Sequence, residues 1–474
     1  MAGKSELIPH FRARFGKGWS RAIAVGVIGL TIFACSSATS STPSPSATEG
    51  ASLSPSPTPI LSPTPRSSAD LTVTVAPSYQ PTPNGSSATP TPDSSPSPLP
   101  SLGLIPSGNP TAIRWFVVSN PQIVAPMPSL GTDNQSYLNL YGWSGGYLGF
   151  ENTYGFLSDG GDISQIDASY SADGLHWVPN GQLDAGSLTG VGVTDVVEGP
   201  AGLLAAGRHM GAACGGIPSV EALWLSRNGV SWRLIDATAV FGGGYVGTID
   251  AGSAGYIATG TLKDSNTGAV WTSSDGVAWK SVDLSAKTFK GALVQDATAF
   301  SGGYVLAGSA LLPDAGGCGG VPAMTPSLWW SKDGQAWSRD TVGGAESGTD
   351  AWMNVSRISD HALAATQWTV IGDVTTTSSW TSTDGRAWKP MSTDIAGSAL
   401  LTNGRVGLLV GWPDADGHRT VSAFRDDLSL IELSQLGDVP GPEDQGTSMA
   451  FGPMGLVVAN TDGSRLWVGV PVAG

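Results

Sequence analysis

Several short stretches of this chain have the residue types and spacing of reactive sites. Gly142-Trp143-Ser144-Gly145-Gly146 has the G-x-S-x-G spacing of a hydrolase nucleophile elbow, which joins a strand to a helix. Ser253-Ala254-Gly255-Tyr256 and Ser301-Gly302-Gly303-Tyr304 recur at the same repeat position, so these serines are expected in turns between strands. Asp414-Ala415-Asp416-Gly417 opens like a calcium loop, but no glutamate stands at the twelfth position, and a turn is expected. His209 and His418 stand alone in loops, without the partners metal ligation needs. No metal and no cofactor is expected.

The most regular polar residues are Asp173, Asn228, Asp275, Asp333 and Asp384. Each precedes a glycine and lies four residues before a tryptophan, as in Trp271-Thr-Ser-Ser-Asp-Gly-Val-Ala-Trp279. Asp-Gly or Asn-Gly between two apolar runs predicts a hairpin closed by a type I′ turn, with φ > 0 at both central residues. The expected role of these side chains is structural, because chemistry at a hairpin tip would need a pocket around the turn.

Positioning these turns requires strands. Ahead of each hairpin comes a glycine or alanine followed by aromatic or aliphatic residues: Gly146-Tyr147, Gly202-Leu203, Gly255-Tyr256, Gly303-Tyr304, Ala362-Leu363, Gly407-Leu408 and Gly455-Leu456. Seven units of about 50 residues, each with four antiparallel strands, predict an all-β, seven-bladed β-propeller over 111–474. The sixth hairpin is eroded to Ser422–Leu430, with Asp426 in register. The seventh unit ends before an outer strand, and Ile113–Val118 is expected to supply it by pairing with Arg465–Val468. Such a closure removes two open sheet edges.

The repeated Ser-x-Asp-Gly-x-x-Trp resembles, in a shortened form, the Asp-box of BNR-repeat propellers, the group that includes sialidases. The resemblance implies that the boxes lie on the face opposite the ligand. A sialidase site would need an arginine triad, a tyrosine nucleophile with a glutamate partner, and an acid/base aspartate. The Arg-Ile-Pro that usually opens such domains is absent. Arg357-Ile358-Ser359 sits in the fifth unit, and Arg227, Arg339, Arg386 and Arg425 lie in or beside hairpin turns. Sialidase activity is not expected.

Upstream, residues 1–35 combine Lys4, Arg12, Arg14, Lys17 and Arg21 with an apolar run of about thirteen residues, too short for a spanning helix. Ile32-Phe33-Ala34-Cys35 resembles a bacterial lipobox, which implies lipidation at Cys35 and a place on the outer face of the cell membrane. Residues 36–110 are rich in Pro, Ser and Thr, cannot bury a core, and predict a disordered stalk. The formal charge of −15, with 13% charged residues, makes nucleic acid and anionic lipid headgroups poor partners. The lipid anchor is the only membrane contact expected, and the protein is expected to be a monomer. Cys214 and Cys318 occupy matching Cys-Gly-Gly-x-Pro segments in the second and fourth units. A disulfide between them is expected in an exported protein; two free thiols of shared ancestry are the alternative.

Two function classes follow. The first expectation is a non-enzymatic surface module that binds a carbohydrate, peptide or protein partner through the loops opposite the boxes. Arg208, His209, Trp368 and Trp412 directly follow second strands there and are the candidate contacts; packing within the blade is their alternative role. The second is a secreted glycan-active hydrolase, which would need two carboxylates converging on that face, and no such set is legible.

Overall fold

The computed structural model describes residues 110–472, apart from segments 120–134 (Ile123 excepted), 157–161, 187, 189, 210–219, 263–267, 312–323, 341, 343–349, 372–373, 414–418, 436–446 and 461–464 (Gly463 excepted). Cys35, the signal, the stalk, Cys214 and Cys318 lie outside the described residues.

Each of the seven small-residue starts opens a strand, the second of its blade: Gly146–Phe156, Gly202–His209, Gly255–Thr261, Gly303–Leu311, Ala362–Ile371, Gly407–Pro413 and Gly455–Asn460. With an inner strand before it and two strands after it in the first six blades, each forms a four-stranded antiparallel sheet, and seven sheets make a seven-bladed propeller. The glycine has a steric cause. Gly202 has φ 118°, and a Cβ there would sit 2.3 Å from the Ser226 carbonyl oxygen on the third strand. Blade 5 uses Ala362 instead, and its inner strand is irregular between Arg357 and Ser359 beside it.

The seventh sheet is completed by Ala112–Ser119, which pairs with Arg465–Val472 in a register running from Ala112↔Val472 to Ser119↔Arg465. The expected closure is therefore present and longer than the sequence indicated.

Tryptophans on the third strands fill the cores between blades. Trp224, Trp329 and Trp380 are fully buried, and the first two keep their indole N–H groups satisfied, Trp224 by the Asp184 carbonyl (2.7 Å) and Trp329 by the Thr288 carbonyl (3.0 Å). Truncating such a residue to alanine costs about 3–5 kcal/mol. Tyrosines at second-strand starts reach the preceding blade: the hydroxyls of Tyr147, Tyr256 and Tyr304 donate to the carbonyls of Gly455, Gly202 and Ala254, each at 2.8 Å.

The hairpin turns differ from expectation. The five turn glycines have φ near 71–77°, but among the described residues the only non-glycine with positive φ is Leu428, so these are not type I′ turns. The Asp275 carboxylate instead accepts the N–H groups of Val277 (2.9 Å) and Ala278 (2.7 Å), the Ser273 hydroxyl accepts the Gly276 N–H, and the Trp279 indole donates to the Gly276 carbonyl. Asp173, Asn228, Asp333 and Asp384 repeat the pattern. Side-chain capping of the backbone replaces the second left-handed residue. In the eroded sixth hairpin it is Asp427, next to the expected Asp426, that accepts the Ser429 N–H and hydroxyl.

Candidate functional site

The capped turns lie at one end of blades 1 to 6, so the loops joining second to third strands, and each blade to the next, leave from the other end. Strand ends there carry the candidate side chains. On the inner strands one level is polar around most of the ring: Asn139, Asp195, Thr248, Asp296, Asn354 and Ser448 each pair with the fifth residue of their second strand. These groups join blades. The Asn139 amide donates to the Val193 carbonyl (3.0 Å), the Ser448 hydroxyl accepts the Leu140 N–H (2.7 Å), and the Asp296 carboxylate accepts the Val355 N–H (3.0 Å).

Arg208 belongs to this junction. It is only 6% exposed, and its guanidinium donates to Thr194 Oγ1 (3.1 Å) and to the carbonyls of Val246 (3.0 Å) and Gly247 (2.6 Å) on blade 3, with Asp195 at 3.4 Å. Trp368 is half-buried and stacks on Trp352, ring centroids 6.3 Å apart at 13°. The side chains of His209 and Trp412 lie outside the described residues. Asp173, Asn228, Asp275, Asp333 and Asp384 sit in their turns on the opposite face, where backbone N–H groups hold the Asp275 and Asp333 carboxylates below the usual range.

Blade 1 carries a different arrangement. Leu138, Glu151 and Asp167 form one cross-strand row on its inner, second and third strands, and Ser136, Thr153 and Gln165 form the next row toward the loop end. Both rows are on the same face, because residues two apart in a strand share a face. Glu151 and Asp167 are direct neighbours. Burial pushes the Glu151 carboxyl above its ordinary range, the Asp167 carboxylate adds to the rise, and a hydrogen bond with Ser136 opposes it. Glu151 Oε2 is buried and has no hydrogen-bond partner among the described residues. Asp167 Oδ2 accepts the Gln165 amide at 2.7 Å, and the Ser136 and Thr153 hydroxyls lie 2.6 Å apart. The row therefore places two carboxyl groups side by side, one of them pushed up by burial, with hydroxyl and amide groups above. Sequence reasoning missed both acids and Trp352. The signal for the acids was available in the register, since counting inward from the repeated positions Tyr147 and Ser171 places Glu151 opposite Asp167.

Among the described residues no three His, Cys, Asp or Glu side chains gather as a metal site, and no helix is long and apolar enough to cross a membrane.

No family profile and no curated protein matches the sequence. Solved structures do match. The β-propeller domain of the Trilobed protease from Pyrococcus furiosus is 8% identical, over 71% of this chain and 94% of that one, with TM-score 0.36. An α-L-arabinanase from Penicillium chrysogenum complexed with arabinobiose is 15% identical, over 68% and 98%, with TM-score 0.32. A glycosyl hydrolase from Bacteroides ovatus is 13% identical, over 70% and 93%, with TM-score 0.27. Two of these three neighbours are named as glycan hydrolases, and the expectation of a non-enzymatic binding module is corrected on that finding. The seven blades are given by this chain's own sheets, and the chemistry has to come from the side chains.

Proposed function

We propose that this chain is an exported glycan-active hydrolase whose acid/base chemistry is performed by Glu151 and Asp167. The observation that carries the proposal is their cross-strand pairing on the loop-end half of blade 1. Directly opposed residues in an antiparallel pair have Cβ atoms about 4.5–5.5 Å apart, which suits the carboxyl separation of about 5–5.5 Å used by retaining glycosidases. Glu151, whose carboxyl burial pushes above its ordinary range, gives its proton to the glycosidic oxygen as the C–O bond breaks. Asp167, the carboxylate, attacks the anomeric carbon, and water activated by the now ionised Glu151 then releases the sugar and restores the proton. Ser136, Thr153 and Gln165 supply hydrogen bonds to sugar hydroxyls beside the pair.

The test is hydrolysis of a panel of neutral polysaccharides by the wild-type protein, Glu151→Gln and Asp167→Asn. Loss of a general acid or nucleophile lowers kcat by about 10²–10⁴-fold. A wild-type protein inert toward the panel, or variants as active as wild type, overturns the proposal.

The finer elements of the account belong to the same proposal. The capped turns descend from Asp-box repeats of the BNR type, as their Ser-x-Asp-Gly-x-x-Trp pattern suggests. Cys35 carries a lipid that holds the chain at the outer face of the membrane, residues 36–110 act as its stalk, and Cys214 bonds to Cys318. The partner is a glycan.

A further inference from the structure

A second feature of the loop-end face lies on blade 5. Met353, Val355, Leu363 and Ala365 pack with Phe300 and Val305 of blade 4, so the alternating residues Trp352, Asn354, Thr366 and Trp368 look toward blade 6. Trp352, Trp368 and Thr377 form one row across the inner, second and third strands. The two indoles are near-parallel at 13°, but with centroids 6.3 Å apart they do not overlap fully, and both are half-buried. Each leaves part of its face outside the stack.

Blade 6 does not cover this row with an inner strand. Its inner strand is four residues long, Ala399–Thr402, and begins at the Ala399↔Val410 pair, whereas the inner strand of blade 5 has ten residues and begins at Asp350↔Val370. The segment linking the two blades runs one row lower, where the Ile395 N–H donates to the Ser379 hydroxyl (3.1 Å). It presents Asp394, exposed, at the edge of the indole pair. Thr377 Oγ1 donates to one carboxylate oxygen, and Ser379 Oγ (2.8 Å) and the Ala396 N–H (3.0 Å) donate to the other. Burial opposes its ionisation, but these hydrogen bonds hold the carboxyl below the usual range.

A pyranose or furanose ring presents an apolar face of C–H groups and an edge of hydroxyls. Flat indole surface accepts the first, and a fixed carboxylate accepts hydrogen bonds from the second. An ionised carboxylate at the platform edge, in a chain of net charge −15, disfavours uronic and other acidic sugars. We propose that Trp352, Trp368 and Asp394 form a binding subsite for one ring of a neutral glycan, on the side of blade 5 that looks toward blade 6. The ligand class rests on the proposed function; the subsite itself involves neither Glu151 nor Asp167.

Affinity electrophoresis of the full chain through gels containing arabinan, galactan, β-glucan or, as the acidic control, polygalacturonate tests the subsite. The wild-type protein and Glu151→Gln are expected to be retarded equally by at least one neutral glycan and not by polygalacturonate. Trp368→Ala is expected to weaken that retardation about tenfold, Trp368→Phe to keep most of it, and Asp394→Asn to reduce it several-fold. No retardation by any neutral glycan, stronger retardation by polygalacturonate, or unchanged retardation in Trp368→Ala overturns the proposal. Should Trp368→Ala fail to fold, Asp394→Asn decides on the same criterion. Hydrolysis by Glu151→Gln at the wild-type rate, with retardation lost in Trp368→Ala, sinks the catalytic assignment and leaves the subsite standing. The converse pair of results does the opposite.

Discussion

Replacing Arg208 by methionine separates a structural role from a ligand-contact role at a position that sequence reasoning alone offered for binding. The guanidinium is 6% exposed, beside Asp195 at 8%, and donates to two backbone carbonyls of the next blade. Removing one partner of a buried ion pair strands the other charge and costs about 3–5 kcal/mol. With an unfolding entropy of about 2.1 cal/mol/K per residue over roughly 360 residues, about 4 kcal/mol corresponds to a fall in Tm of about 5 °C. Differential scanning calorimetry measures it. Replacing Asp195 by asparagine as well should recover part of the loss, because the stranded charge is then gone. Glycan retardation of the folded variant should match wild type. A Tm within about 1 °C of wild type, or lost glycan binding at unchanged Tm, refutes the assignment of Arg208 to the blade 2–3 junction.

Four other outcomes are expected. Glu151 has a raised pKa in the fold, so its contribution to stability is full below the ordinary glutamate value and is lost as pH rises through the folded value; Glu151→Gln should therefore raise Tm at pH 7 and leave it unchanged near pH 4, as thermal melts at the two pH values will show. Deleting residues 110–119 exposes the edge of Arg465–Val472 and should make the protein aggregate on size-exclusion chromatography; an elution volume and Tm unchanged from wild type contradict the closing role of that strand. Cys35→Ala should move the protein from the membrane to the soluble fraction, and alkylation without reductant should leave Cys214 and Cys318 unmodified by intact mass; a membrane-bound variant, or two alkylated thiols, contradicts the respective assignment.

Fold was legible because it is written in periodic, local features. Glycine at five of the seven second-strand starts answers a close third-strand carbonyl, as at Gly202, and the paired tryptophans mark the third strand and its turn. The turn type was not legible, because Asp-Gly allows both a doubly left-handed turn and one in which the aspartate caps two N–H groups; the half-buried tryptophan four residues on favours the second through its bond to the glycine carbonyl. The site was harder to see. Glu151 and Asp167 are sixteen residues apart and meet only through register, and Trp352 finds Trp368 in the same way. Arg208 looked like a surface residue at a strand end, yet the Val246 and Gly247 carbonyls on blade 3 accept its N–H groups and draw it inward, which no single-blade pattern reveals.

The most direct test of Glu151 as the acid compares two substrates in one variant. A nitrophenyl glycoside has a leaving group that departs without protonation, whereas a sugar leaving group in a polysaccharide requires it. If Glu151 protonates the glycosidic oxygen, Glu151→Gln should lose about 10²–10⁴-fold in kcat on the neutral polysaccharide and far less in cleaving the nitrophenyl bond. Equal losses on both substrates, or no loss on either, would contradict the account.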